Sequence, residues 1–374
     1  MWCVPCQAGL GSPCATEADG SAEMRMHLLI AALVVMLPGA IPSYARTWTV
    51  MQDGSGDFLD IQSAVDACAV GDSVLVGPGR YEGYHPFIPG DDDIGWEVIV
   101  GVAVDSLTIR GVDSETVIIG PAATDDDRLV RIGIATSVLN TWIVLENIRI
   151  ENIGGRGVDI VNSGRVYRCQ YVNMMTGLAL EVGHDVLVEE CLFAQTQLVV
   201  SHISDTILPE VIVRNTQFES GAGVYVNQHP NTIVTECRFN GVTVAANGLN
   251  GANLYVESCE MNGGNIAIAG TNYGDGSIDV RDCQMNDQAV YAIQVYGTHL
   301  AGSGNTIRTL GDYAIQVPNS SADFHGNHIF KAGVGTVDVQ FYTVPDQGLD
   351  FSGNWWGTSD ADSIAAWKIG RAHV

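Results

Sequence analysis

Downstream of Arg46 the chain is written in short runs of alternating apolar and polar residues, and Gly, Asn or Asp punctuates them throughout. Strict alternation of this kind predicts half-buried strands joined by tight turns. A single stretch departs from it: Ile61, Ala64, Val65 and Cys68 fall on one side of a short amphipathic helix capped near Asp60, as suits a lid over the open end of a stacked sheet. The strand runs repeat. The unit V-x-x-C-x-(aromatic or Met) recurs at Val166…Cys169-Gln170-Tyr171, Val188…Cys191-Leu192-Phe193, Val234…Cys237-Arg238-Phe239, Val256…Cys259-Glu260-Met261 and Val280…Cys283-Gln284-Met285. Thr216 fills the same slot in Val213…Phe218, Ile148 precedes the series, and Asn305, Asn327 and Asn354, each after Gly, follow it.

These ladder positions lie 21 to 27 residues apart, and a second strand falls between successive ones. Tyr291-Ala292-Ile293-Gln294-Val295 and Tyr313-Ala314-Ile315-Gln316-Val317 repeat letter for letter at 22 residues. A leucine-rich horseshoe has a similar period but needs a Leu consensus that is absent. The fold class predicted is all-β, a right-handed parallel β-helix of about 22 residues per rung with a short N-terminal capping helix, in which each rung pairs with the next at about 4.8 Å.

Stacking places like on like, which bears on the cysteines. In-register parallel neighbours hold their Cβ atoms about 4.8 Å apart, beyond the disulfide separation of about 3.8 Å. Cys169, Cys191, Cys237, Cys259 and Cys283 are therefore expected to be free buried thiols acting as small hydrophobes. A tetrahedral thiolate site needs convergent ligands, not a line of them.

The two ends read differently from the body. Leu28–Leu37 is a short apolar run preceded by Arg25 and followed by Ser43-Tyr44-Ala45, the pattern of a secretory signal cleaved after Ala45 and too short to span a bilayer. Residues 24–45 are thus expected to be a signal peptide and 1–23 a start-site overcall. The body is expected to be one β-helix domain over 46–367, with its first strand and cap in 46–70. Residues 368–374 end in Ile369-Gly370-Arg371-Ala372-His373-Val374, which matches the translation of a common sequencing adapter, so the natural chain is expected to continue past Trp367.

Composition narrows the partners. With 43 acidic residues against 17 basic ones, a net charge of −26 and Lys only at 331 and 368, no basic surface is available to neutralise a phosphate backbone. Nucleic acid is excluded on that ground, and anionic membrane with it. A secreted or surface monomer without membrane insertion is expected.

Gly71–Tyr81, Leu107-Thr108-Ile109-Arg110-Gly111 and Gly353-Asn354-Trp355-Trp356-Gly357-Thr358 resemble the pectin-lyase-like superfamily, in particular secreted bacterial β-helix repeat proteins of the NosD-like and pectinesterase-like type. The resemblance spans Thr47 to Trp367 and rests on scaffold motifs, so it implies the fold more than an activity. It implies polysaccharide as the partner and lyase or hydrolase chemistry. A non-catalytic adhesive or structural rod is the alternative, and a NosD-like metal-maturation factor the third. The nucleophilic-Asp segment of pectin methylesterases and the paired-Asp segment of polygalacturonases are not found. For lyase chemistry the resemblance implies an Arg base and calcium as the cofactor.

Three groups of residues are candidates for chemistry. The insertion Tyr81–Trp96 holds Asp91, Asp92 and Asp93, candidate calcium ligands, beside Tyr84 and Trp96, candidate sugar-stacking rings; the plainer reading is a solvated acidic turn. If Val158, Leu178, Val199 and Val224 point inward, then Asp159, Glu181 and His202 form an outward acid–base patch with Tyr225 and Asn227 as substrate contacts. If Val200 points inward instead, His202 turns into the core and the patch dissolves, and the plainer reading of the whole group is an ordinary solvent face. The third is an outward ladder of Gln294, Gln316 and Asp338 with Tyr296 beside it, read as a stiffening side-chain stack.

Overall fold

The computed structural model describes residues 45–88, 95–124, 131–137, 142–202, 209–227, 231–248, 253–272, 276–311, 313–332, 338–340, 348–357 and 359. Over these the chain winds through three strand ladders per turn. The first face comprises Trp96–Val102, Arg131–Thr136, the N-terminal parts of Arg156–Tyr167 and Thr176–Glu189, and then Gln197–His202 through Asp338–Gln340. The second runs from Thr47–Val50 to Leu349–Asp350, and the third is an eleven-stranded sheet from Gly79–Tyr81 to His328–Lys331. Arg156–Tyr167 and Thr176–Glu189 turn from the first face to the second without a break, which joins those two faces in one 23-stranded sheet. Among the described strands the pairings are parallel except that of His85–Phe87 with Trp96–Val98.

The expected β-helix and its cap are both present. Helix α1 (Ile61–Asp66) has Asp60 as N-cap, its side chain accepting from Ser63 N, and it buries Ile61, Ala64 and Val65 over the first rungs. Inside, identical side-chain types stack across the rungs. Tyr171, Phe193, Phe218 and Phe239 lie ring on ring with centroids 4.6, 5.0 and 4.7 Å apart, and Met261, Met285, Ile307 and Ile329 continue their row. The spacing equals that between parallel strands, so the backbone ladder itself sets the stacking.

The corner between second and third faces explains the repeating unit. One residue there takes a left-handed conformation: Arg168, Glu190, Asn215, Glu236, Ser258 and Asp282 have φ of 49 to 54°, and Gly304, Gly326 and Gly353 of 67 to 72°. The residue that follows points inward beneath the corner carbonyls. Cys191 Sγ lies 3.3 Å from Glu189 O, Cys237 Sγ 3.2 Å from Thr235 O, and Thr216 Oγ1 donates to Arg214 O at 2.9 Å. Asn327 Nδ2 donates to His325 O in the same way, and Asn305 and Asn327 extend the pattern into a buried amide ladder. Cys, Thr and Asn interchange in this slot because each can donate to the second acceptor site of a corner carbonyl that already takes a backbone N–H from the preceding rung, as Glu189 O does from Arg168 N. All five stacked cysteines are free and buried, as expected. They are, however, weak donors and not only small hydrophobes.

Candidate functional site

The first face is entered through a staircase of glycines. A Cβ on Gly133 would sit 2.4 Å from Gly157 O, one on Gly157 2.5 Å from Gly177 O, and one on Gly177 2.9 Å from Thr196 Oγ1. Only hydrogen fits where each rung passes this close to the next. The tight passage sets Arg156, immediately before Gly157, and Asp159, two residues after it.

Arg156 joins two carboxylates. Its Nη1 donates to Asp159 Oδ2 at 2.5 Å and to Glu181 Oε1, one rung away, at 3.2 Å. Glu181 and Arg156 are partly exposed, with 38% and 41% of their side chains open, whereas Asp159 is sealed. Asp159 Oδ1 is buried with no hydrogen-bond partner. Burial is the main influence on its carboxyl and raises its pKa to about 6; Arg156 opposes the shift and Glu181 adds to it. Burial disfavours the Arg156 charge, but Asp159 and Glu181 together more than offset it and hold the guanidinium further into its charged range.

This geometry revises the sequence assignment at two points. Asp159 does occupy an outward position between inward Val158 and Ile160, but it is covered and reaches solvent only through Arg156. A group in that position positions its neighbour and does not touch substrate. His202 falls out of the patch: Val200 is fully buried, and the register pairs Val182 with His202 and Glu181 with Ser201. The run Leu198-Val199-Val200 is apolar on both sides of the strand, so alternation could not choose between the two registers. Sequence reasoning missed Arg156. Its signal is position, one residue before a glycine that recurs at 133, 157 and 177.

Tyr225 continues the row of Asp159 through Ala179 and Val199, and Asn227 continues the row of Glu181 through Ser201. At one strand spacing per rung, Asn227 stands about 10 Å along the axis from Glu181. Tyr84 and Trp96 lie elsewhere. Trp96 packs with Phe87 on Val98, Ile132 and Ala135, where the antiparallel hairpin folds over the face. Tyr84 packs on the main core with the Arg131 guanidinium 4.7 Å from its ring centroid. Both rings are engaged in covering the first rungs. Asp91, Asp92 and Asp93 lie outside the described residues, and among those described no group of three or more His, Cys, Asp or Glu is placed to hold a metal ion.

Two clefts are separate from this cluster. One of about 290 Å³ lies at the cap, where Asp60 is committed to capping α1 and Arg80 to the carbonyls of Gly120 and Pro121 and to Glu151. The other, about 490 Å³, follows the corner past Arg168, Gln170 and Glu190, which are bonded in turn to Glu190, Glu115 and Arg168. Further along the first face, Gln294 donates to Gln316 at 2.5 Å. The register carries this row on to Gln340, and Asp338 pairs with Tyr313. The expected Asp338 rung is displaced because the ladder shifts register between Tyr313 and Ile315.

No family model and no curated protein matches the chain. Solved structures similar to it include the catalytic unit of a thermostable GH87 α-1,3-glucanase from Streptomyces thermodiastaticus strain HF3-3, at 13% identity over 86% of this chain and 71% of that one, with a TM-score of 0.40. Pectate lyase Pel9A is 11% identical over 89% of this chain and 82% of its own, with a TM-score of 0.41. Carrot pectin methylesterase is 10% identical over 84% and 89%, with a TM-score of 0.23. Likeness at this level transfers neither substrate nor mechanism.

Proposed function

We propose that the protein acts outside the cell on polysaccharide, which it engages on the first face, and that Glu181 with Arg156 forms the reactive end of that surface. The observation carrying this reading is the sealed Asp159, with an unpartnered oxygen, sharing one guanidinium nitrogen with the exposed Glu181. A buried, half-satisfied carboxylate costs stability, and such costs concentrate where chemistry is done.

The roles follow from the charges. Arg156 is held as a cation by two carboxylates and is unsuited to abstract a proton, which argues against an arginine-based elimination. It is suited to orient a hydroxyl or stabilise negative charge. Glu181 is the group able to accept or deliver a proton at substrate. Asp159 acts through Arg156: when it protonates, near pH 6, Arg156 loses one of its two counter-charges and bears more strongly on Glu181.

The test is turnover of a panel of neutral and acidic polysaccharides, with and without calcium, followed by reducing-end release and by ultraviolet absorbance of unsaturated products. Cleavage by the parent protein that Glu181→Gln lowers at least a hundredfold supports the reading. Binding without turnover in either protein favours the adhesive or structural rod, whose support is the unbroken stacking of rings and amides along the core.

A further inference from the structure

The distribution of charge over the three faces is uneven. Six consecutive strands of the first face, Gln197–His202, Gly223–Asn227, Thr243–Gly248, Ile266–Asn272, Tyr291–Tyr296 and Tyr313–Gln316, contain no Asp, Glu, Lys or Arg. Over the same rungs the second face carries Glu210, Arg214, Glu257, Asp279, Arg281 and Asp323. In a chain of net charge −26, a charge-free strip this long is a departure from the rest of the surface.

One row of the strip is polar and uncharged, and the next mixes apolar residues with an aromatic ring and amides. Ser201, Asn227, Thr271 and Tyr296 stand in the row that holds Glu181. In the adjacent row Val199 is followed by Tyr225, Ala245, Ala269 and the bonded pair Gln294 and Gln316. The half-exposed Tyr225 ring reaches over Gly223, whose absent Cβ would lie 3.5 Å from Cε2. Tyr291 and Tyr313, half-exposed at the start of the last two of these strands, have ring centroids 5.7 Å apart. Half-exposed rings beside amides and hydroxyls at a regular spacing of about 4.8 Å match a flat, hydroxyl-rich polymer laid along the axis. A polyanion gains nothing from this strip and meets the field of the whole protein.

We infer that the strip binds an extended neutral glycan running along the rod axis, with its end at Glu181. This rests on the polysaccharide reading above and narrows it to uncharged polymers. Binding is separable from cleavage. The experiment is affinity electrophoresis and calorimetry of the full chain and its Glu181→Gln form against soluble neutral glucans, mannans and xylans and against polygalacturonate and alginate, at low and high salt. The expected result is retention of the full chain by at least one neutral polymer, insensitive to salt. Tyr225→Ala should weaken it about tenfold, and Gln294→Glu should weaken it without changing the folded signal. Preference for a polyuronate, binding to none of the polymers, or neutral binding untouched by both strip variants overturns the inference. Glu181-dependent cleavage of an acidic polymer would leave the catalytic reading standing and remove this one; neutral binding without cleavage does the reverse.

Discussion

Arg156 and Asp159 are joined by a 2.5 Å hydrogen bond in which the carboxylate is fully buried and the guanidinium is not. The pair is therefore unequal: Arg156 keeps water on one side, and Asp159 keeps an orphan oxygen. Burial raises the Asp159 pKa from 3.8 to about 6 despite the adjacent cation. For an acid whose folded pKa is raised, folding favours the protonated form. The contribution is complete below the unfolded value of 3.8 and is lost as pH climbs towards 6. Ionising Asp159 should cost roughly 3 kcal/mol across that window. Urea unfolding at a series of pH values should show this decline in the parent and a flatter profile in Asp159→Asn. Equal slopes in the two proteins would refute the assignment.

The ring stack makes opposite predictions at its middle and its end. Phe218 is stacked on Phe193 and Phe239, and Phe218→Ala removes both contacts and leaves a cavity, a loss of about 3–5 kcal/mol. Tyr171 ends the stack with a buried hydroxyl that has no hydrogen-bond partner, and burial pushes its pKa well up. Tyr171→Phe should therefore stabilise the protein by about 1 kcal/mol. Denaturant midpoints decide both, and a destabilised Tyr171→Phe would mean that the hydroxyl has a partner.

The cysteine row should be chemically silent. Burial pushes Cys169 up to about 12 and Cys191 well above the usual thiol range, and hydrogen bonds along the row, with burial, raise Cys259 and Cys283. Cys68, half-buried at the end of the cap, is raised by burial to about 11. Among the six described cysteines, alkylation mapped by mass spectrometry should label Cys68 first and the row only on unfolding. Rapid labelling of Cys237 or Cys259 in the native state would show that the rungs open independently.

The rungs were legible in the sequence because one slot, beneath the left-handed corner, accepts few side chains and so repeats visibly as Cys, Thr or Asn. That the five stacked cysteines are free followed from the same spacing. The site was half legible. Glu181 was found as an outward acid on an alternating strand, but His202 was misplaced where Val199 and Val200 are both apolar, and alternation sets register only when one face is polar. The burial of Asp159 left no trace, because cover by a neighbouring Arg156 is a tertiary fact.

Gly157 ties the scaffold to the site. A Cβ there would meet Gly177 O at 2.5 Å and Met174 Sδ at 2.5 Å, and the first of these is backbone held in the ladder. Gly157→Ala must push adjacent rungs apart at the point where Arg156 and Asp159 are set, a cost of about 1–3 kcal/mol. Gly348→Ala, with nothing within 4 Å, should change stability by less than about 0.5 kcal/mol and serves as the control. Glu181 lies on the next rung, held to Arg156 by a contact already 3.2 Å long. Displacing Arg156 should break that contact first, so Gly157→Ala should lose any Glu181-dependent turnover while still folding at low temperature. Full turnover in a destabilised Gly157→Ala protein would show that Glu181 works without Arg156.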